Sequence, residues 1–426
     1  MTLRIGIAGL GTVGAGVVTL LARNDALIEA RAGRPITVTA VSARDRTRDR
    51  GCNLSGLTWH DDPVALATDP NVDVVVELIG GADGPARALV ESALAAHRPV
   101  VTANKALLAL HGAALADTAF LAGVPLAFEA AVAGAIPAIK TVREGLAANR
   151  ITALAGILNG TCNYILTQMR ETGRDFPEIL ADAQALGYAE ADPAFDIDGV
   201  DAAHKLTILA ALAFGHPPDF AAVHIEGIRN ISALDIAFAT ELGYRIKLLG
   251  IARQTETGTE LRVHPAMVPA KNLLAAVDGV HNAVLIDSDA AGSIFLQGRG
   301  AGALPTASAV VADLIDIARG TKIPVWGQAA STPTRLIPLA DHEGAYFLRL
   351  SVIDQPGVLA DVTGILRDHK ISLESMLQHG QKPGEAVPIV LVTHHTREAN
   401  MSAACTAIAA LPAVLEPPAL IRIEPA

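Results

Sequence analysis

Asp201 and Lys205 stand one helical turn apart in the run Asp196-Ile197-Asp198-Gly199-Val200-Asp201-Ala202-Ala203-His204-Lys205. The acid-first i,i+4 order puts both side chains on one helix face and favours their pairing. On a solvated face such a pair would only steady the helix. Here the chain continues as the apolar stretch Leu206–Phe214, which predicts a buried helix. A buried lysine has a lowered pKa suited to proton transfer. Glu190, Asp192, Asp196, Asp198 and Asp201 crowd the same segment. They do not form a calcium loop, because Gly199 follows Asp196 too soon and no glutamate stands at loop position 12. Carboxylates beside a lysine suit a site that holds a substrate ammonium.

Lys105, in Val100-Val101-Thr102-Ala103-Asn104-Lys105, falls where a predicted strand ends and a helix begins. Ligands bind at strand carboxyl ends in open α/β sheets. A cation at a helix N-terminus is electrostatically unfavourable, so either a ligand or mere surface exposure accounts for it. Gly9-Leu10-Gly11-Thr12-Val13-Gly14 also lies between a strand and a helix. That context gives a glycine-rich loop its chemistry: a tight turn, close backbone approach to a pyrophosphate, and free N–H groups at the helix start. Arg44 precedes Asp45 at the end of the second strand, and Arg46, Arg48 and Arg50 follow. An arginine there can hold the 2′-phosphate of NADP, whereas an acid there serves NAD. NADP is favoured, and Asp45 leaves NAD open. Cys162, in Asn159-Gly160-Thr161-Cys162-Asn163 at a turn into a helix, is a packing residue on this reading, with a thiol nucleophile as the alternative.

Several elements must position these groups. Leu3–Ala8, Ile36–Val41, Val72–Ile79 and Pro99–Thr102 read as buried strands, alternating with helices at Val13–Leu27, Ala86–Ala96 and Lys105–Ala122. That rhythm implies α/β architecture, a parallel sheet covered on both faces over residues 1–130. From 131 to 320, strands at Ile151–Leu158 and Leu261–Pro265 mix with long helices such as Ala202–Phe214, which suggests an α+β catalytic and dimerisation domain. Its final part, 298–320, is expected to pack back on the first domain through a helix at Ala307–Ala318. A proline- and glycine-bearing connector spans 321–345. Residues 346–426 then follow a ferredoxin-like βαββαβ order: Tyr346–Ile353, Pro356–His369, Ser372–Leu377, Val387–His394, Met401–Ala410 and Leu420–Glu424.

Composition narrows the classes. With 33 Lys plus Arg against 44 Asp plus Glu, the net charge is −11, and no basic tract offers a nucleic-acid surface. Apolar residues make up 51% of the chain, yet the most apolar stretch considered, Thr118 to Ile139, holds Glu129 and two prolines, so no membrane span is expected. Three scattered cysteines without a C-x-x-C argue against a disulfide scaffold and for a reducing compartment, the cytoplasm.

Together GLGTVG (9–14), TANKAL (102–107), FEAAVAGAIP (128–137), NGTCNYIL (159–166), GYAEADPAFDIDGVDAAHKLTIL (187–209) and GRGAGALPTASAVV (298–311) resemble the homoserine dehydrogenases, in the monofunctional form with a C-terminal ACT domain. The resemblance covers essentially the whole chain. It implies NAD(P)-dependent interconversion of L-aspartate 4-semialdehyde and L-homoserine, in the route to threonine and methionine. By that analogy Lys205 donates the proton, Lys105 reaches cofactor and substrate, and Asp201 orients Lys205 or holds the substrate amine with Asp196. Glu190 and Gly187 bind substrate. Gly9, Leu10, Gly11, Thr12, Val13, Gly14, Arg44, Thr102, Lys105 and Gly302 contact the cofactor. The resemblance also implies a monovalent cation, sodium, on Glu129 and the carbonyls of Val132, Gly134 and Ile136. Asp354-Gln355-Pro356-Gly357-Val358-Leu359 looks like the first strand–helix turn of an ACT domain; that resemblance implies an amino-acid effector, L-threonine, or else an oligomerisation module without a ligand, and the family implies a homodimer or homotetramer. Two other readings stay open at this point: an aspartate-semialdehyde dehydrogenase working through Cys162, and a nucleotide- and amino-acid-sensing regulator without catalysis.

Overall fold

A computed structural model describes residues 1–328, 334–379 and 384–424 of the 426-residue chain. Six short strands open it: β1 (Leu3–Ala8), β2 (Ile36–Ser42), β3 (Thr58–His60), β4 (Val74–Glu77), β5 (Val100–Thr102) and β6 (Leu126–Ala127). They pair in parallel in the order β3-β2-β1-β4-β5-β6. The inner strands are aliphatic and buried on both faces, as a sheet covered by helices on both sides requires. The chain reverses direction across the sheet between β1 and β4, so a crevice opens beyond their carboxyl ends.

The helical run expected at Val13–Leu27 is two helices, Thr12–Arg23 and Asp25–Ala32. Asn24 separates them at φ −115°, ψ 25°, outside the helical region, consistent with the way an asparagine amide competes with helical backbone bonds. Helix Lys105–Ala122, and not the stretch 118–139, is long and apolar enough by composition to cross a membrane. It packs instead against helices Pro85–Ala95 and Val200–Phe214. Helix Ala303–Ala318, longer than the predicted Ala307–Ala318, lies against Thr12–Arg23 and shares its core with the parallel sheet.

The second sheet is larger than two strands. β7 (Ile151–Ile157), β8 (His224–Ile225), β9 (Tyr244–Thr255), β10 (Gly258–Pro269), β11 (His281–Ser288) and β12 (Gly292–Arg299) belong to it. Much of β9 and β10 is buried at every position, so the polar–apolar alternation that would announce a half-exposed strand is missing. Helix Val200–Phe214 lies on β7, β9 and β10 and also touches helix Lys105–Ala122, which joins the two sheets. Of the connector expected at 321–345, residues 329–333 lie outside the described residues, and from Glu343 onward it is already strand.

The C-terminal unit contains β13 (Glu343–Ile353), β14 (Leu373–Gln378), β15 (Ala386–Thr393), β16 (Thr396–Arg397) and β17 (Ala419–Ile423), with helices Val358–Asp368 and Glu398–Ala409. Its sheet does not stand alone. β17 pairs in parallel with β10 through Ala266–Arg422 and Met267–Ile423, giving the order β12-β11-β7-β9-β10-β17-β13-β15-β14. Buried charges cross this seam. Arg262 of β10 holds Glu424 at 2.5 Å and Glu260 at 3.2 Å. Arg422 of β17 holds Glu398 at 2.6 Å and Glu226 at 2.8 Å. Buried arginines are tolerated only when paired in this way.

Candidate active site

Lys105 is set at the carboxyl ends of β4 and β5 by a buried carboxylate. Glu77 accepts from the Ile79 N–H at 2.7 Å, the Gly80 N–H at 3.1 Å and the Thr102 hydroxyl at 2.6 Å. Asn104 caps the following helix by accepting from the Leu107 N–H at 3.1 Å, and it ties Gly81 O to the loop at 2.6 Å. Thr102, expected as a cofactor contact, is fully buried with its hydroxyl committed to Glu77 and the Asn104 N–H, so its side chain shapes this loop.

Helix Val200–Phe214 crosses over this point and brings Lys205 beside Lys105. Lys205 Nζ donates to Asp201 Oδ2 at 2.7 Å and to the Leu158 carbonyl at 2.7 Å. Lys105 Nζ meets the other oxygen, Asp201 Oδ1, at 2.9 Å. Asn159 Nδ2 bridges Asp201 at 2.9 Å and Asp196 at 2.8 Å, while its Oδ1 caps helix Gly160–Thr172 on the Cys162 N–H. Asp201 thus spends both oxygens on lysines and Asn159, which makes it an orienting group. Asp196, half-buried, engages Asn159 through one oxygen.

Charge follows from burial and pairing. Desolvation lowers the Lys205 pKa despite Asp201, and the neighbouring Lys105 charge pushes the same way. Lys105 is raised, because Asp201, with Asp196 and Glu190 behind it, outweighs its desolvation. Burial alone would raise Asp201, but the two lysines hold it well below the usual carboxylate range. Desolvation raises Asp196, with the Asp201 charge adding. Phe195 lies over the Lys105 ammonium at 5.6 Å. His204 lies between the tilted rings of Phe195 and Phe220, and burial lowers its pKa to about 4, so it is neutral near pH 7.

Glu190 and Gly187 lie on the exposed loop before Pro193, with the Glu190 carbonyl accepting from Gln184 at 3.0 Å. Cys162 is fully buried, donates to Asp196 O, and is driven well above the ordinary thiol pKa by desolvation and the nearby carboxylates. A thiol held that way is not a nucleophile.

The glycine loop fits a dinucleotide. Gly9 has φ +96°, and a Cβ there would strike Leu78 O at 2.4 Å, whereas one at Gly11 would meet nothing within 4 Å. The backbone at Gly11 is therefore open to a ligand. Helix Thr12–Arg23 starts with no side-chain cap, leaving N–H groups for a pyrophosphate. Arg44 is exposed beside it, while Asp45 turns its carboxylate onto the Thr47 N–H and hydroxyl at 2.8 and 2.7 Å. Arg50 donates to Leu10 O at 3.1 Å. Gly302, φ +127°, opens the uncapped helix Ala303–Ala318 across the crevice.

Glu129 accepts from the Ile139 N–H at 3.0 Å and the Lys140 N–H at 2.8 Å. Burial, with Asp313 nearby, pushes its pKa up to about 7. Val132, Gly134 and Ile136 follow in a kinked loop, with Ala133 at φ 55° and Gly134 at φ 56°. Among the described residues no cluster of three His, Cys, Asp or Glu exists to hold a metal. One buried carboxylate with backbone carbonyls is the donor chemistry of a hard, weakly charged cation.

Sequence reasoning missed the Leu158 carbonyl, Asn159 and Glu77. A backbone carbonyl leaves no residue signal, and Asn159 carries only the signal of a turn.

Comparison with known proteins adds independent findings. Residues 9–129 match the family described as homoserine dehydrogenase, NAD binding domain; residues 137–315 match homoserine dehydrogenase and 346–413 the ACT domain. A homoserine dehydrogenase of Pseudomonas aeruginosa is 49% identical over 430 residues, covering 99% of this chain and 98% of that protein. The crystal structure of a homoserine dehydrogenase from Thiobacillus denitrificans superposes with a TM-score of 0.95 at 49% identity, covering 100% and 99% of the two chains. That of S. aureus homoserine dehydrogenase at pH 7.5 gives 0.78 at 30% identity, with 100% and 99% covered.

Proposed function

The chain belongs to the homoserine dehydrogenase family, oxidoreductases that act on a CH–OH group with NAD(P), and on that premise we propose how its residues divide the reaction between L-homoserine and L-aspartate 4-semialdehyde. The nicotinamide cofactor, when bound, supplies or accepts the hydride at the substrate C4. In the reducing direction the Lys205 ammonium gives its proton to the oxygen of the aldehyde as negative charge develops there. A buried ammonium with a lowered pKa releases that proton readily. In the oxidising direction the neutral Lys205 amine takes the hydroxyl proton. Asp201 keeps Lys205 aimed, and Lys105, partly exposed and sharing the same carboxylate, is the route by which the proton is exchanged with water. Asp196 and Glu190 receive the substrate ammonium. The observation that carries this reading is the single Asp201 carboxylate shared by both lysines.

NADP is the preferred cofactor on this reading, because Arg44 is free to meet a 2′-phosphate and Asp45 is turned away. Gly9–Gly14 would receive the pyrophosphate, and Gly302 would contact the cofactor from the opposite turn. Glu129 with the carbonyls of Val132, Gly134 and Ile136 would hold a sodium ion. The ACT unit takes L-threonine at the turn after β13, where Gly357 opens an uncapped helix, and the enzyme works as a homodimer or homotetramer in the cytoplasm, where its free cysteines stay reduced.

Lys205→Ala tests the assignment. Turnover in both directions should fall by about 10²- to 10⁴-fold, the usual worth of a general acid–base group, while NADPH binding followed by its fluorescence stays within about twofold. Activity near that of the unaltered enzyme would sink the assignment.

A further inference from the structure

Asn282 lies in β11, far along the chain from Lys105, Asp201 and Lys205, yet it is 1% exposed and touches the machinery from behind. Its Nδ2 donates at 2.9 Å to the Leu158 carbonyl, the same oxygen that receives Lys205 Nζ at 2.7 Å. Because Leu158 O can only accept, the amide orientation is fixed. Among the described residues its own Oδ1 is then left buried without a donor. Leaving a buried carbonyl unpaired is costly, so the amide is retained against a penalty.

The other face of this amide rests on glycine. A Cβ at Gly300 would fall 2.2–2.3 Å from the Asn282 Cγ, Nδ2 and Oδ1, so only a bare backbone fits there. Gly300 in turn presses on Gly134, where a Cβ would come within 2.4 Å of Gly300 O. Two residues beyond Gly300 is Gly302, at the start of helix Ala303–Ala318.

We propose that Asn282 is a positioning residue for the reaction: its amide clamps the Leu158 carbonyl that seats Lys205 and bears on the Gly300–Gly302 turn, holding proton donor and cofactor turn at one spacing. This rests on the reading of Lys205 as proton donor. The clamp acts through Leu158 O, which divides its accepting capacity between Asn282 and Lys205. Other groups facing Lys205 are Asp201 and His204 from its own helix, Lys105 from helix Lys105–Ala122, Asp196 from the short helix Ala194–Ile197, and Cys162 from helix Gly160–Thr172.

The test is a pair of substitutions in the full-length enzyme. Asn282→Leu keeps the side-chain volume, removes the donor and excludes water. Its kcat should fall about 10- to 100-fold, the range expected from a small misplacement of reacting groups, with KM for both substrates within about threefold. In the reducing direction its alkaline limb should move to higher pH, because Leu158 O then accepts from Lys205 alone. Asn282→Asp can donate to Leu158 O only while its carboxyl is protonated, so its kcat should recover as pH falls. Unchanged kcat in Asn282→Leu overturns the proposal. So does a loss with an unmoved alkaline limb, and so does an Asn282→Asp enzyme with no recovery at low pH. If Asn282→Leu does not fold, the Asn282→Asp profile decides. Lys205→Ala separates the two readings: should that variant stay active, the proton-donor assignment has failed before Asn282 is judged.

Discussion

Lys105 and Lys205 come from different sheets' helices and meet on opposite oxygens of one carboxylate, at 2.9 Å on Asp201 Oδ1 and 2.7 Å on Asp201 Oδ2. Two ammonium groups so placed would repel without the acid between them. The carboxylate therefore sets both their spacing and their proton affinities. Its removal should be felt in stability as well as in turnover.

Asp201→Asn keeps the shape and deletes the charge. Lys205 then loses the partner that resists its desolvation, so its pKa falls further. Reduction needs the ammonium and declines as pH rises through that pKa, so the alkaline limb should shift to lower pH; oxidation needs the amine, and its rising limb should shift the same way. Urea unfolding should show a loss of about 3–5 kcal/mol, the cost of stranding a buried charge. An unmoved pH profile with unchanged stability would contradict the shared-carboxylate account.

Cofactor preference should be separable from catalysis. Arg44→Ala should raise the KM for NADPH about tenfold or more, as expected for losing a charge-assisted contact, and leave that for NADH alone. Equal effects on the two cofactors would assign Arg44 to the loop and not to the 2′-phosphate.

Glu129 provides a stability test of the proposed cation site. Its folded pKa of about 7 lies above the ordinary 4.5. Such a carboxyl contributes stability below about pH 4.5 that is lost as pH rises through 7, on the order of 3 kcal/mol. In choline buffer Tm should drop between pH 5 and 8, and sodium should restore it at pH 8 more than at pH 5. Glu129→Gln should remove both the pH dependence and the sodium effect; a sodium response that survives in that variant places the ion elsewhere.

Cys162→Ala should retain kcat within about twofold, since a buried, protonated thiol does no covalent work. Full loss of activity with intact cofactor binding would return the thiol route to consideration.

The site was legible in the sequence where side chains carried it. Asp201 and Lys205 were readable from i,i+4 spacing joined to an apolar helix, and the glycine loop from its place between β1 and a helix. Lys105 was marked by its unfavourable position at a helix start. What escaped were partners without a local signal: the Leu158 carbonyl, the Asn159 bridge and Asn282, which reach the site from separate strand ends and turns. Of β10 only Leu261–Pro265 was legible, and β9 escaped, for another reason: much of both strands is buried on both faces and shows no alternation. The covalently distant pairing of β10 with β17 rests on two residue pairs, too few to leave a pattern.

That pairing bears on how the chain can be taken apart. A shortened form ending before β17 would leave the β10 edge open to another strand and Arg262 buried without Glu424. Such a fragment should be prone to aggregate, so the role of the ACT unit is better probed by point substitution in its loop than by excision. A chimera that exchanges the regulatory unit must likewise carry a matching carboxylate for Arg262, or replace that arginine with an apolar residue at the splice.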